Sequence, residues 1–253
     1  MLETLTLLIL KPHMDKQITA IAQRTLEIEA AAITGLQKFI DTPFIEAVKA
    51  IYTSEGRLVV SGIGKSAIIA QKMVATCNST GTPALFLHAA DAIHGDSGMI
   101  NQKDLVLIIS KSGESPEIKN LVQLVNSFGN SIIAMVGNTE SYLASHAKWV
   151  INTTVDKEAC AHNLAPTSST TAQMAMGDAM AICLMELKKV KASDFAKFHP
   201  GGNLGKRLTL TTGQMAQVNP KPSVQVSTTL KEVILVISKN RLGAAVVIDE
   251  NEK

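Results

Sequence analysis

Five short apolar runs punctuate the middle of the chain, at about 57–61, 84–88, 104–109, 131–136 and 148–152. Each reads as a short buried strand. Segments with apolar residues at helical spacing lie between most of them, at 65–77, 115–127 and, briefly, 140–146. Short apolar strands alternating with amphipathic helices predict βαβ units and a parallel sheet. Right-handed crossovers then make a three-layer αβα sandwich the expected α/β architecture. Upstream, 15–40 carries Ile, Ala and Leu at helical spacing with charges between. Thr42 is placed as the N-cap of a second helix over 43–54, with Pro43 at its first position. Downstream, 167–189 predicts a long helix opened by hydroxyl residues and rich in Ala and Met nearly all round, a composition suited to burial in the core or in a subunit interface. A short helix at 193–198 leads into the glycine-rich turn HPGGNLGKRL (199–208). Beyond 213 the pattern changes to strand, a helix capped by Ser227 or Thr228, and strand, with a hairpin still being built.

The chain has 253 residues and is 46% hydrophobic, enough for one large α/β domain plus a fragment. Its net charge is +2, its Lys and Arg are dispersed and its aromatic content is 4%, so nucleic acid is not an expected partner. Cys77, Cys160 and Cys183 are widely spaced and form no CxxC pair, which reads as reduced thiols of a cytoplasmic protein. The opening MLETLTLLIL is apolar but short, carries Glu3 and has no basic flank, so it reads neither as a signal peptide nor as a membrane span. Residues 1–13 are read as an N-terminal extension ahead of a start at Met14, and no membrane partner is expected.

Candidate chemistry gathers after the first and third strands. RLVVSGIGKS (57–66) and DLVLIISKSGES (104–115) each run from a strand through a Ser/Gly turn into a helix. Glycines let backbone N–H groups turn toward a ligand, serines add hydroxyl donors, and the helix directs its positive end at the same point. Two such turns predict a phosphorylated small molecule at the carboxyl ends of parallel strands. Ser61, Gly62 and Gly64 belong to the first, and Ser110, Ser112 and Ser115 to the second, with Glu114 beside them. SGIGKS is not a Walker A loop, because Val59 stands where glycine is needed. Gly62, Gly64 and Ala67 meet the dinucleotide pattern formally, but the second strand ends in His88 rather than an acid. TSSTT (167–171) is a third hydroxyl cluster at a helix start. His88, His94 and His199 lack zinc-ligand spacing, so no metal is expected. His199 precedes Pro200, which fixes its backbone and suits it to acid/base work. Glu158, in the loop segment KEAC (157–160), carries only weak evidence by itself, since most loop glutamates are solvated.

Together SGIGKS, STGTP (79–83), HAADAIHGD (88–96), ISKSGES, KEAC, LAPTSSTT (164–171), MGDA (176–179) and HPGG (199–202) fall in the order seen in arabinose 5-phosphate isomerases, and the chain resembles that family. These are sugar-isomerase (SIS) domain proteins usually followed by a pair of CBS modules. The resemblance implies a five-stranded parallel sheet between helices, an SIS domain over 14–208 and an incomplete CBS module over 209–253. It implies interconversion of D-arabinose 5-phosphate and D-ribulose 5-phosphate on the route to the sugar acid Kdo, in a tetramer with shared active sites and without a cofactor. It assigns catalysis to Lys65, Glu114, Glu158 and His199, and substrate contacts to His88, His94, the two serine loops, Thr167 and Ser168. Lys111 departs from the pattern, standing where asparagine is usual, as do Ala89, Asp91, Ser97 and the segment 161–163. The expected mechanism uses Glu158, or else Glu114, as a base whose pKa burial raises toward neutrality. A non-catalytic phosphosugar sensor, or an isomerase for another sugar phosphate, is the alternative.

Overall fold

The apolar runs fold as β1 (Leu58–Gly62), β2 (Ala84–His88), β3 (Leu105–Ser110), β4 (Ile132–Val136) and β5 (Trp149–Asn152). All five are parallel, in the order β2-β1-β3-β4-β5. The computed structural model describes residues 2–198, 211–218 and 221–250. By its internal contacts the chain divides into two units, Met1–Phe198 and His199–Lys253.

In the first unit the strands alternate between two cores, as the period of two in a pleated strand dictates. Val60, Leu107, Ile109, Met135 and Ile151 pack with α2 (Thr42–Thr53), α3 (Lys65–Ser79) and α7 (Ser168–Leu187). Val59, Val106, Ile108, Ala134 and Val136 pack with α4 (Ala89–Ala92), α5 (Pro116–Ser127) and α6 (Tyr142–Ser145). Both faces of the sheet are therefore covered, which gives the three expected layers. The long helix α1 (Leu2–Gly35) lies against α7 and runs on into a 3-10 turn at Leu36–Phe39. It is one continuous helix through Met14, and Met14, Ile18, Ile21, Leu26 and Ile33 are exposed along it.

The foot of the sheet is pinned by one ion pair. Asp104 is buried and accepts from Arg57 N (2.8 Å), Arg57 Nη2 (2.7 Å) and Asn101 N (2.9 Å). Arg57 Nη2 also donates to the Met99 carbonyl at 2.8 Å. Burial alone would raise the Asp104 pKa, but these hydrogen bonds carry it below the usual range.

Several local expectations are corrected. Asp41, not Thr42, caps α2, accepting from Phe44 N, which moves Thr42 and Pro43 into the first turn. The expectation for α7, burial in the core or in a subunit interface, is not among these corrections: within this chain one face is buried, through residues such as Ala172, Met176, Met180 and Leu184. Met174, Ile182 and Leu187 lie exposed on it. A short helix α8 (Ala192–Phe198) follows. In the second unit the expected strand, helix and strand are found, and β6 (Ser223–Gln225) and β7 (Val246–Ile248) pair in parallel across the helix Leu230–Asn240 as a crossover unit. That helix is capped by Thr229, whose N–H and hydroxyl donate to Glu232. Thr228 does not cap it, because its hydroxyl accepts from Gln225 N and closes the preceding turn. Among the described residues no helix is long and apolar enough to cross a membrane.

Candidate active site

Strand order 2-1-3 makes the chain leave β1 toward one edge and return on its other side, so a crevice opens between the carboxyl ends of β1 and β3. Gly62 and Ile109 are register partners there. The two serine–glycine loops leave the sheet at this point. A Cβ on Gly62 would stand 2.9 Å from the Ser66 carbonyl oxygen, so glycine is what lets α3 begin hard against β1. Lys65 is the first residue of α3. In the second loop Ser110 Oγ accepts from Gly113 N at 3.0 Å, and Ser112 Oγ accepts from Glu114 N at 3.3 Å. Each oxygen used as an acceptor leaves its hydroxyl hydrogen for an incoming anion. Gly113 has φ +67°, and a Cβ there would lie 2.2 Å from Ser141 Oγ. The Oγ atoms of Ser61, Ser115 and Ser168 are buried and have no hydrogen-bond partner among the described residues, three unbonded hydroxyls among the residues expected to bind substrate.

Glu158 is the most heavily bonded side chain of the region. It is 2% exposed. Its Oε2 accepts from Thr167 N (2.8 Å), Thr167 Oγ1 (3.2 Å) and Ser169 N (3.1 Å), and its Oε1 accepts from Ser169 Oγ (2.5 Å). The carboxylate thus seats on the N-terminal turn of α7, where free N–H groups and the helix dipole favour an anion. Lys111 Nζ closes the other side, 2.6 Å from Oε1. The expected upward pKa shift is contradicted. Burial pushes the carboxyl up, but the bonds from Lys111, from Ser169 Oγ and from the N–H groups of Thr167 and Ser169 outweigh it and hold it at about 2. Glu158 is neither a solvated loop residue nor, with Lys111 in place, a base poised near neutrality.

A cavity of about 190 Å³ lies against this arrangement, lined by Lys65, Ser66, Lys111, Ser169 and Gln173 among others. Ser66 Oγ donates to Gln173 Oε1 at 3.2 Å, tying α3 to α7 across it. Two lysines, one from each loop, therefore share a small cavity with Ser169, a hydroxyl that holds Glu158. Lys111 and Ser169 were not among the predicted site residues. The TSSTT cluster, nine residues past Glu158, is the sequence signal from which the capping of α7 by that glutamate could have been read.

Other predicted residues stand apart. The Glu114 carboxylate is held by Lys119 (2.8 Å) and Tyr142 N (2.6 Å), neither of them a predicted site residue. Those two bonds lower its pKa. His88 ends β2, with Nδ1 3.5 Å from Asp91 Oδ2, and His94 is exposed. His199 and the HPGG turn lie outside the described residues.

The loop after Glu158 also sets thiol chemistry. Ala165 N and Leu164 N each donate to Cys160 Sγ at 3.1 Å and lower its pKa, whereas burial raises that of Cys77 to about 11. Limited alkylation at pH 7.5 should therefore mark Cys160 readily and Cys77 only on unfolding. Peptide mapping checks this; equal labelling of the two would contradict the geometry.

Comparison with known proteins agrees with this architecture. Residues 51–183 match the SIS domain family. The chain is 43% identical over 233 residues to the arabinose 5-phosphate isomerase of Pseudomonas aeruginosa, covering 92% of this chain and 72% of that one. It is 41% identical over 237 residues to an arabinose 5-phosphate isomerase of Escherichia coli, covering 93% of this chain and 72% of that one. Among solved structures, an Escherichia coli protein in complex with arabinose 5-phosphate superposes with a TM-score of 0.69 at 36% identity, covering 73% of this chain and 98% of that one. Sequence and fold agree, and the chain belongs to the arabinose 5-phosphate isomerase family of SIS-domain proteins.

Proposed function

We propose that the chain is an aldose–ketose isomerase that interconverts D-arabinose 5-phosphate and D-ribulose 5-phosphate through a cis-enediol. The observation that carries the reading is that Lys65 and Lys111 line one small cavity at the β1/β3 crevice, with Lys111 paired to the buried carboxylate of Glu158 beside it. Lys65 and Glu158 are two of the residues to which the family resemblance assigns catalysis. The phosphate sits on the Ser110–Ser115 loop with help from Thr167 and Ser168, so remote binding energy orients C1 and C2. Glu158 removes the C2 proton of the open-chain aldose, with Glu114 as the second candidate, and the proton returns at C1 to give the ketose. Lys65 stabilises the enediolate oxygens. His199 opens the sugar ring or carries the hydroxyl proton. No redox cofactor or metal enters this scheme.

Around this core, the product feeds Kdo synthesis for a bacterial surface polysaccharide, and the protein works in the cytoplasm, where its three free thiols remain reduced. A homotetramer with shared active sites accounts for the exposed apolar residues of α1 and α7. Residues 209–253 are read as the opening of a CBS module, in keeping with the parallel β6–β7 crossover.

Steady-state assay of ketose formation tests the site. Ser112→Ala should raise KM for arabinose 5-phosphate roughly tenfold or more with kcat within about twofold, the cost of one hydrogen bond to a charged group. Unchanged KM would put the phosphate elsewhere. Phosphosugar binding without turnover in the parent protein would identify a sensor.

A further inference from the structure

The Lys111–Glu158 pair joins two groups with different surroundings. Glu158 is fully buried, while the Lys111 side chain is 50% exposed and reaches it from the serine loop between Ser110 and Ser112. The carboxylate has further bonds, to Ser169 and to the N-terminal turn of α7, that do not involve Lys111. Among the described residues the lysine pairs with no second anion. Lys111 lines the same cavity as Lys65, and its backbone belongs to the loop whose hydroxyls are free to donate. A dianion seated on that loop competes with Glu158 for the lysine.

We propose that Lys111 is a displaceable latch: it holds Glu158 in the empty site and transfers its ammonium to the substrate's phosphate on binding, which frees the carboxylate to act on the sugar. Part of the phosphate binding energy is then spent on exchanging one ion pair for another. A ligand shifts such an equilibrium by its differential interaction with the two states, and here the difference is a direct contact with the lysine. The consequence is selectivity in time. The base is covered until a phosphorylated ligand arrives, and a sugar without phosphate meets a site still latched. Lys111 is a positioning residue in this account, acting on Glu158 and not on the reacting carbons.

The inference rests on the phosphate-binding reading of the loop, and its test reads binding of inorganic phosphate rather than turnover, so failure of the isomerase reading does not decide it. At pH 8, phosphate affinity is measured by calorimetry for the full chain and for Lys111→Met, Glu158→Gln and the double variant. Lys111→Met should weaken phosphate by about tenfold, as the loss of a charge-assisted contact. Glu158→Gln should tighten it roughly three- to tenfold, because the lysine no longer has to be drawn from a carboxylate. In the Lys111→Met background the same Glu158→Gln change should alter affinity by less than about twofold, the non-additivity expected of contacting residues. Glu158→Gln leaving affinity unchanged would overturn the latch. Equal tightening with and without Lys111 would also overturn it, since that is simple repulsion. Should Glu158→Gln lose its cooperative unfolding transition, Lys111→Met decides alone. It should weaken phosphate and raise the sugar-phosphate KM by the same factor, and an affinity within about twofold of the parent overturns the proposal.

Discussion

Glu158→Gln is expected to lower kcat for arabinose 5-phosphate by about 10²–10⁴-fold, the range for removal of a proton-transfer group. The substitution keeps the volume and one acceptor oxygen while removing the charge. Measured at pH 8, with the unfolding midpoint of the same preparation in hand, the activity loss separates from any loss of fold. Both effects are anticipated, because the carboxylate is also the anchor of the α7 N-terminus. The folded-state pKa of Glu158, about 2, lies below its ordinary value of 4.5. Its contribution to stability is therefore whole above about pH 4.5 and is lost as pH falls toward 2. Acidification below pH 4.5 should accordingly narrow the stability gap between parent and variant. Turnover within a few-fold of the parent at pH 8 would remove Glu158 from the role of base and leave it a helix cap.

Asp104→Ala is expected to cost about 3–5 kcal/mol, as breaking a buried ion pair does, and nearer the lower figure because Arg57 reaches solvent. At roughly 2–4 °C per kcal/mol for a domain of this size, the Tm should fall by about 10 °C. Asp104 immediately precedes β3 and ties it to Arg57, which immediately precedes β1. That is the end of the sheet away from the serine loops, so kcat of the folded variant should stay within about twofold of the parent. Calorimetric unfolding together with the ketose assay reads both. A Tm change under about 3 °C would mean that the pair is compensated, and a large loss of kcat would tie the foot of the sheet to the chemistry.

Local pattern carried the sheet. Runs such as LVLII and IIAMV have no reading other than strands buried on both faces, and β1 to β5 lie where those runs do. The glycine demands of the serine loops were also legible, since Gly62 and Gly113 occupy positions a side chain could not. Boundaries depended on which neighbouring polar residue wins a cap, and Asp41 and Thr229 each displaced an expected residue by only one or two positions. The state of Glu158 was not legible in its own segment. Its donors come from residues 167–169 and from Lys111, 47 positions upstream, and only the folded sheet brings them to one point. The sign of its pKa shift followed from those distant partners, so burial reasoning on the loop alone pointed the wrong way. The exposed side of α7 is similar: composition marked the helix for burial, but one chain covers just one face of it.

The central claim is enediol isomerisation, and a proton NMR time course with arabinose 5-phosphate in deuterium oxide, with EDTA present, tests it most directly. The account predicts that ribulose 5-phosphate appears, that solvent deuterium enters at the carbon whose proton is exchanged, and that Glu158→Gln slows both together. Ribulose 5-phosphate formed by Glu158→Gln as fast as by the parent would contradict the carboxylate-mediated enediol, and no conversion of any sugar phosphate by the folded protein would contradict the isomerase itself.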